Sequence, residues 1–356
     1  MTIKLGIVGG GAIGSVHATA AKAVGSDIVD LRCIADVDEK AAKKLAAQHG
    51  NAHTTADPQQ LFDDKDIDAV VIGVPNRFHA PLAVAALKAG KDVLLEKPMA
   101  LSVAECQQIN DAAASTGQIL QMGFVQRYSS VAVTGRRLVD AGRLGKLYHI
   151  KTSTYRRRGI PGLGGWFTTK AMSGGGPLID IGVHAIDLAM YLADAPRPVR
   201  VSGKVYANFG PRMKDYIYEG MWAGPPKLDG TFDVEDAAHA FVRFDNGLTM
   251  EVNATWAMNL PDNALPSVMG FFGDKGGMTF NLGGSELRLA TEQDGHNVDL
   301  VPKLRATQGF EDQLRYFAQN IKKRTQPHAD GKAGQLVQTI IEGIYESSRQ
   351  DREIEV

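Results

Sequence analysis

Ile3-Lys4-Leu5-Gly6-Ile7-Val8-Gly9-Gly10-Gly11-Ala12-Ile13-Gly14 opens the chain with a short apolar run and three glycines, followed by an alanine-rich stretch that continues to Val24. Gly9, Gly11 and Gly14 make the string G-x-G-x-x-G, which gains meaning from its place between a strand and a helix. There Gly9 permits the tight turn, Gly11 lets the backbone approach a pyrophosphate, and Gly14 lets helix pack close to strand. Ala12 and Ile13 begin the helix, whose free N–H groups and dipole favour an anion. Asp36 follows 22 residues after Gly14, at the end of the apolar run 28–35. A carboxylate there accepts hydrogen bonds from an adenosine ribose and repels a 2′-phosphate, so NAD is favoured over NADP.

Working outward, apolar runs at 3–8, 28–35, 69–74, 93–95 and 119–122 alternate with helical stretches at 12–24, 39–49, 80–89 and 102–116. Strands buried on both faces read as continuous apolar runs. The alternation predicts a doubly wound parallel sheet, the Rossmann arrangement, over residues 1–124. Ser102 and Glu105 form a capping box, and Gly117 closes that helix. Beyond residue 124 the rhythm changes. Strands are expected at 146–154, 199–206, 237–244, 248–254, 268–272 and 286–289, with Asp245-Asn246-Gly247 as a hairpin turn. A helix is expected at 183–192, and two more, 310–323 and 334–349, close the chain. The second domain, 125–332, therefore reads as α+β with an open, mostly antiparallel sheet. The glycine-rich stretch 159–176 is too long for a simple turn and reads as a functional loop.

Composition narrows the function classes. Hydrophobic residues are 44% and charged residues 22%, an ordinary globular balance with ample material for a core. A net charge of −1 supplies no overall field for nucleic acid or membrane. Cys33 and Cys106, the chain's two cysteines, fall in apolar contexts and cannot build a disulfide scaffold or a four-thiolate zinc site. No apolar run approaches the ~20 residues that span a bilayer. The start, Met1-Thr2-Ile3-Lys4, has no signal-peptide pattern, so a cytoplasmic location is expected.

Two further groups carry chemistry. Glu96-Lys97-Pro98 follows the fourth strand, where the carboxyl ends of parallel strands face the ligand crevice; Lys97 is expected to point there, and Pro98 to set the turn with a cis peptide. A solvated lysine is the alternative. In Asp180-Ile181-Gly182-Val183-His184-Ala185-Ile186-Asp187 the spacing places Asp180, His184 and Asp187 on one helix face. His184 suits proton transfer near neutral pH, with a carboxylate to orient it. A plain ion pair is one alternative. A metal site is another, disfavoured because no Cys or second His is near. Trp166 could stack on a sugar ring or nicotinamide, or simply anchor its loop. Arg156-Arg157-Arg158 ends a strand, where alternation turns Arg156 and Arg158 to one side, toward substrate or solvent.

Taken together these pieces resemble the glucose–fructose oxidoreductase/inositol dehydrogenase/rhizopine-catabolism (Gfo/Idh/MocA) family. The resemblance rests on the glycine turn with His17, on Val74-Pro75-Asn76 with His79, on Ala89-Gly90-Lys91-Asp92-Val93 leading to Glu96-Lys97-Pro98, on the Asp180–Asp187 motif, and on Ile341-Glu342-Gly343-Ile344-Tyr345-Glu346-Ser347-Ser348 as the last helix. It implies Lys97, Asp180 and His184 as the catalytic trio. His184 would take the proton from a ring hydroxyl, Lys97 would hydrogen-bond the same oxygen, and Asp180 would orient substrate or histidine. Val74, Pro75, Asn76, His79, Glu96, Gln126 and Trp166 would line the NAD pocket. The expected substrate contacts are Lys97, Arg127, Tyr155, Arg156, Arg158, Trp166, Asp180 and His184. The resemblance also implies a homodimer or homotetramer built on the open sheet, and a terminal segment, 333–356, packed back on the first domain. The expected activity is NAD-dependent oxidation of a monosaccharide, inositol or anhydrosugar ring hydroxyl. An NAD-dependent glycoside hydrolase that recycles its cofactor is the alternative, and a catalytically silent sensor a third.

Overall fold

The computed structural model describes residues 2–50, 52–261, 264–265 and 267–356; Met1, the first residue of the expected first domain, lies outside them. The chain divides into two compact units, Met1–Tyr128 with Gln308–Gln335, and Ser129–Thr307 with Leu336–Val356.

In the first unit the strands are β1 (Ile3–Val8), β2 (Val29–Ala35), β3 (His53–Thr55), β4 (Ala69–Ile72), β5 (Asp92–Leu95) and β6 (Leu120–Met122). Between them run α1 (Ala12–Val24), α2 (Glu39–Gln48), α3 (Pro58–Asp63), α4 (His79–Lys88) and α5 (Val103–Thr116). The sheet order is β3-β2-β1-β4-β5-β6, with parallel neighbours throughout. This is the expected doubly wound sheet, and its switch point lies between β1 and β4. All four residues of β4 and of β5 are buried, as the unbroken apolar runs required. Ser102 Oγ accepts the Glu105 N–H, and the Glu105 carboxylate reaches back to Leu101 N at 2.8 Å. Gly117 then takes the left-handed conformation that ends α5.

The second unit opens with α6 (Ser130–Asp140) and β7 (Leu147–Thr154), followed by a one-turn helix α7 (Lys170–Ser173) and by α8 (Val183–Leu192). Strands β8 (Pro198–Tyr206), β9 (Ala237–Phe244), β10 (Thr249–Thr255), β11 (Val268–Gly273), β12 (Gly276–Phe280), β13 (Leu287–Gln293) and β14 (His296–Leu300) complete most of its sheet. After α9 (Phe310–Lys323) and α10 (Gly331–Gln350), the short β15 (Ile354–Glu355) adds an edge strand. The order is β14-β13-β12-β11-β7-β10-β9-β8-β15. Among the described residues only β7 and β10 run parallel in this sheet; every other pair is antiparallel. The expected open, mostly antiparallel sheet is thus present. Gly247, at φ 86°, makes the β9–β10 turn.

The segment that returns to the first unit is 308–335, which carries α9, whereas residues from 336 onward group with the second unit. Leu314, Phe317, Ala318 and Ile321 of α9 join one core with Ile3, Leu5, Ile7, Ala18 and Ala21.

Candidate active site

Every first-unit residue singled out from the cofactor motifs, apart from those on the turn after β6, lies at the carboxyl edge of its sheet. Gly9 follows β1, Asp36 follows β2, Val74-Pro75-Asn76 follow β4, and Glu96-Lys97 follow β5. Backbone bonds stitch this edge together: Gly9 N to Ala35 O, Gly73 N to Val8 O, Glu96 N to Ile72 O and Gly123 N to Leu95 O.

The glycine turn tests whether a dinucleotide fits. A Cβ at Gly14 would lie 1.8 Å from the Gly9 carbonyl oxygen, and one at Gly9, where φ is +110°, would lie 2.3 Å from the Gly73 oxygen. Both positions are therefore closed to side chains. Gly11, by contrast, faces open space. It caps α1 with no side-chain hydrogen bond and no acidic residue in the first turn, which leaves that helix end to an anion. The half-buried Asp36 carboxylate accepts Gly10 N at 2.6 Å and Asp38 N at 2.8 Å, and so is held beside the turn. These residues fit the pyrophosphate and ribose of NAD.

Glu96 and Lys97 sit side by side in different surroundings. One Glu96 oxygen meets His17 Nε2 at 2.8 Å; the other accepts the Lys97 N–H at 3.1 Å. Burial pushes the Glu96 carboxyl up, but the hydrogen bond from His17 and the nearby Lys97 charge outweigh it and leave it below the usual value. Glu96, read from the resemblance as a pocket-lining residue, is thus a buried brace between α1 and the backbone of Lys97. Gly123 must be glycine here, because its Cβ would come within 2.8 Å of that carboxyl. Lys97 is half-buried, and the Lys97–Pro98 peptide is cis.

His79, also read as lining the pocket, is 1% exposed. Its Nδ1 lies 2.6 Å from Pro98 O and its Nε2 2.9 Å from Val74 O, so the ring ties the β4 turn to the β5 turn. Burial lowers its proton affinity while the two carbonyls raise it, and burial prevails. Asn76 is nearly buried on a short 3-10 turn. Gln126 and Arg127 lie on the turn Val125–Tyr128. Arg127 is buried: its guanidinium donates to the His328 carbonyl and covers the Phe124 ring at 5.3 Å. The donor placed among the substrate contacts is thus committed within the first unit.

In the second unit Asp180 and His184 belong to one continuous helical run. Residues Leu178–Gly182 form a wide π turn that passes directly into α8. The sequence periodicity expected ordinary α geometry there; the wider turn still keeps residues i and i+4 near one side, and such turns recur at functional sites. Asp180 accepts the Trp256 indole N–H at 3.1 Å. Trp256 is fully buried and packs with Ile160, Leu163 and Ile181. Asp187, on the same run, is also buried.

Trp166 stacks on Phe167 with centroids 3.8 Å apart, and Phe167 meets Trp222 edge-on at 5.3 Å. The strand ends at Thr154, so alternation does not set the directions of Arg156 and Arg158. Arg156 folds back onto the Gly159 carbonyl, and Arg158 reaches Met258 O and Asn259 Oδ1 and covers Phe209. Tyr155 is fixed through its backbone to Ser267 Oγ. Trp256 and Glu235 escaped the sequence reading, and Tyr345 entered it only as part of the last-helix motif, because the contacts Glu235–Leu178, Trp256–Asp180 and Tyr345–Glu235 join residues 57 to 110 apart with no local spacing to announce them. Among the described residues no group of three His, Cys, Asp or Glu could hold a metal ion, and no helix is long and apolar enough to cross a membrane.

Comparison with known proteins places this geometry. Residues 3–124 match the model of the oxidoreductase family with the NAD-binding Rossmann fold, and residues 133–279 match the GFO/IDH/MocA C-terminal domain. The chain is 29% identical to D-glucoside 3-dehydrogenase of Escherichia coli (strain K12) over 99% of its own length and 97% of that protein's. It is 29% identical to the NAD⁺-dependent scyllo-inositol 2-dehydrogenase of Bacillus subtilis (strain 168) over 71% and 67%. A solved levoglucosan dehydrogenase, in complex with NADH and levoglucosan, superposes with a TM-score of 0.85 across the full length of both chains at 23% identity, which speaks for the fold. The chain belongs to the Gfo/Idh/MocA family of NAD-binding oxidoreductases.

Proposed function

We propose that this protein is an NAD-dependent dehydrogenase that oxidises a ring hydroxyl of a monosaccharide, inositol or anhydrosugar to a ketone or lactone. The observation that carries the reading is that each unit holds one prepared element: in the first, a lysine at the carboxyl edge of a dinucleotide-type sheet whose backbone is braced by Glu96; in the second, a π turn leading into a helix that together carry Asp180 and His184. The relatives named above act on a D-glucoside and on scyllo-inositol, both ring polyols.

In this reading His184 takes the hydroxyl proton as the carbon–hydrogen bond breaks. Lys97 donates a hydrogen bond to the same oxygen and stabilises the negative charge that develops there. Asp180, held by Trp256, orients a neighbouring hydroxyl or the imidazole. Gly9, Gly11, Ala12, Ile13, Gly14 and Asp36 hold the dinucleotide, with Val74, Pro75 and Asn76 along its edge. NAD, when bound, supplies the hydride acceptor. Trp166, Tyr155, Arg156 and Arg158 are the remaining substrate-side candidates. Arg127 and His79 instead support the neighbouring turns.

The test is reduced-nicotinamide absorbance with purified protein, NAD and a panel of inositols, aldoses, anhydrosugars and glycosides. Growth with one class establishes net dehydrogenation. Cleavage of aryl glycosides without net NADH would replace this reading with the hydrolase.

We further infer a homodimer or homotetramer assembled through the outer face of the second sheet, and a cytoplasmic location. That face carries Glu251 with Lys151 Nζ at 3.8 Å and His149 Nε2 at 3.5 Å, and Phe241 and Phe272 half-exposed among them. Both cysteines are buried and neither forms a disulfide, which suits a reducing compartment.

A further inference from the structure

Glu235 is 6% exposed and lies just ahead of β9. Its Oε1 accepts the Tyr345 hydroxyl at 2.9 Å and the Leu178 N–H at 3.2 Å. Leu178 is the first residue of the π turn, so this carboxylate sits at the head of the run that carries Asp180 and His184. Gly176 completes the connection: its carbonyl accepts the Asp180 N–H at 3.0 Å. The adjoining residue, Asp236, accepts the Trp256 N–H on its backbone oxygen at 2.9 Å, and Trp256 in turn holds the Asp180 carboxylate. The dipeptide Glu235-Asp236 therefore anchors both the first residue of the turn that carries Asp180 and the partner of the Asp180 side chain.

The glycines before the turn are moulded to this pair. A Cβ at Gly175 would fall 1.9 Å from the Tyr345 hydroxyl, and one at Gly176 would fall 2.0 Å from the Glu235 carbonyl oxygen. Burial pushes both the Glu235 carboxyl and the Tyr345 phenol up, and the hydrogen bonds that Glu235 accepts offset this only in part. A well-packed apolar pair of the same volume would often be neutral or stabilising. The polar pair is costly unless the direction of its hydrogen bonds matters.

We propose that Glu235 and Tyr345 are positioning residues that fix the Asp180–His184 turn in the geometry the reaction needs. This rests on the roles proposed for Asp180 and His184 above. The helix-head carboxylate holds the turn at its amino end, the indole holds the Asp180 side chain, and the phenol keeps the carboxylate aimed.

The experiment compares Glu235→Leu, Glu235→Gln and Tyr345→Phe in the full chain, with NAD and the polyol that the wild type turns over. Glu235→Leu and Tyr345→Phe should lower kcat roughly 10-fold or more with KM for NAD within about twofold, because small misplacements of reacting groups cost this much. Glu235→Gln, which keeps the Oε1 acceptor, should recover most of the loss. If Glu235→Leu does not fold, Tyr345→Phe carries the same comparison alone. Wild-type turnover with kcat unchanged in both disruptive variants overturns the inference and leaves the dehydrogenase standing. Absence of wild-type turnover across the panel overturns the dehydrogenase, and this inference with it.

Discussion

At the end of β5 the chain places two ionisable groups next to each other: Glu96 binds His17 and the Lys97 backbone, and Lys97 lies half-buried at the sheet edge. Lys97→Ala should therefore lower turnover by ~10²-fold or more while NAD still binds, measured by steady-state kinetics beside a nucleotide titration. Near-normal turnover would remove Lys97 from the chemistry. Asp36→Ala should weaken NAD and relax its preference over NADP, because it deletes an acceptor and a repulsive charge together. An unchanged ratio of kcat/KM values for the two cofactors would place that choice elsewhere. His328 offers a pH test. Burial, and then the Arg127 charge, lower its pKa to about 4, with the ring stacked 4.6 Å from Tyr316. The unfolded chain takes up this proton first as pH falls from the ordinary histidine value of about 6.5, so the contribution is full above that value and is lost on the way down to about 4. Melting temperature followed from pH 7 to 4 should fall less steeply in His328→Gln than in the wild type.

At the scale of elements, the parts that can be read from sequence are those whose signal is local. The glycine turn, the buried runs of β4 and β5, the capping box of α5 and the Asn-Gly hairpin each declare themselves within about ten residues. What was not legible lacked that signal. Strand β3 is His53-Thr54-Thr55, with no apolar residue to bury; β12 begins with two glycines; β14 is mostly exposed; all three are strands because a neighbour supplies a ladder. The helix α6 was missed although its apolar residues repeat at helical spacing, since a glycine at 135 interrupts the pattern. Candidate catalytic residues were legible as motifs, whereas the contacts of Trp256, Glu235 and Tyr345 that hold the turn were not. Two substitutions probe these elements. Gly14→Ala should cost about 3 kcal/mol or abolish folding, because the new methyl collides with rigid backbone at the Gly9 carbonyl; thermal melting reads it. Gly175→Ala should displace the Tyr345 hydroxyl, and the double change with Tyr345→Phe should restore part of the lost melting temperature. Simple additivity of the two losses would mean that they do not meet.

Over the whole molecule, an open sheet of nine strands with a mixed polar and aromatic outer face asks to be covered. Phe241→Glu on that face should reduce the particle mass measured by light scattering toward the 38.3 kDa of one chain. A wild type already at that mass at micromolar concentration would end the assembly proposal. The return of α9 to the first unit reaches further, into the order in which the protein can be made. Residues 129–307 separate the first stretch of that unit from the helix that fills its core. At ~5–20 residues per second a ribosome needs on the order of 10–35 s to cross that interval. During that time the dinucleotide sheet hangs from the tunnel with the apolar side of α1 uncovered, so nascent-chain chaperones are expected to meet this face before NAD does.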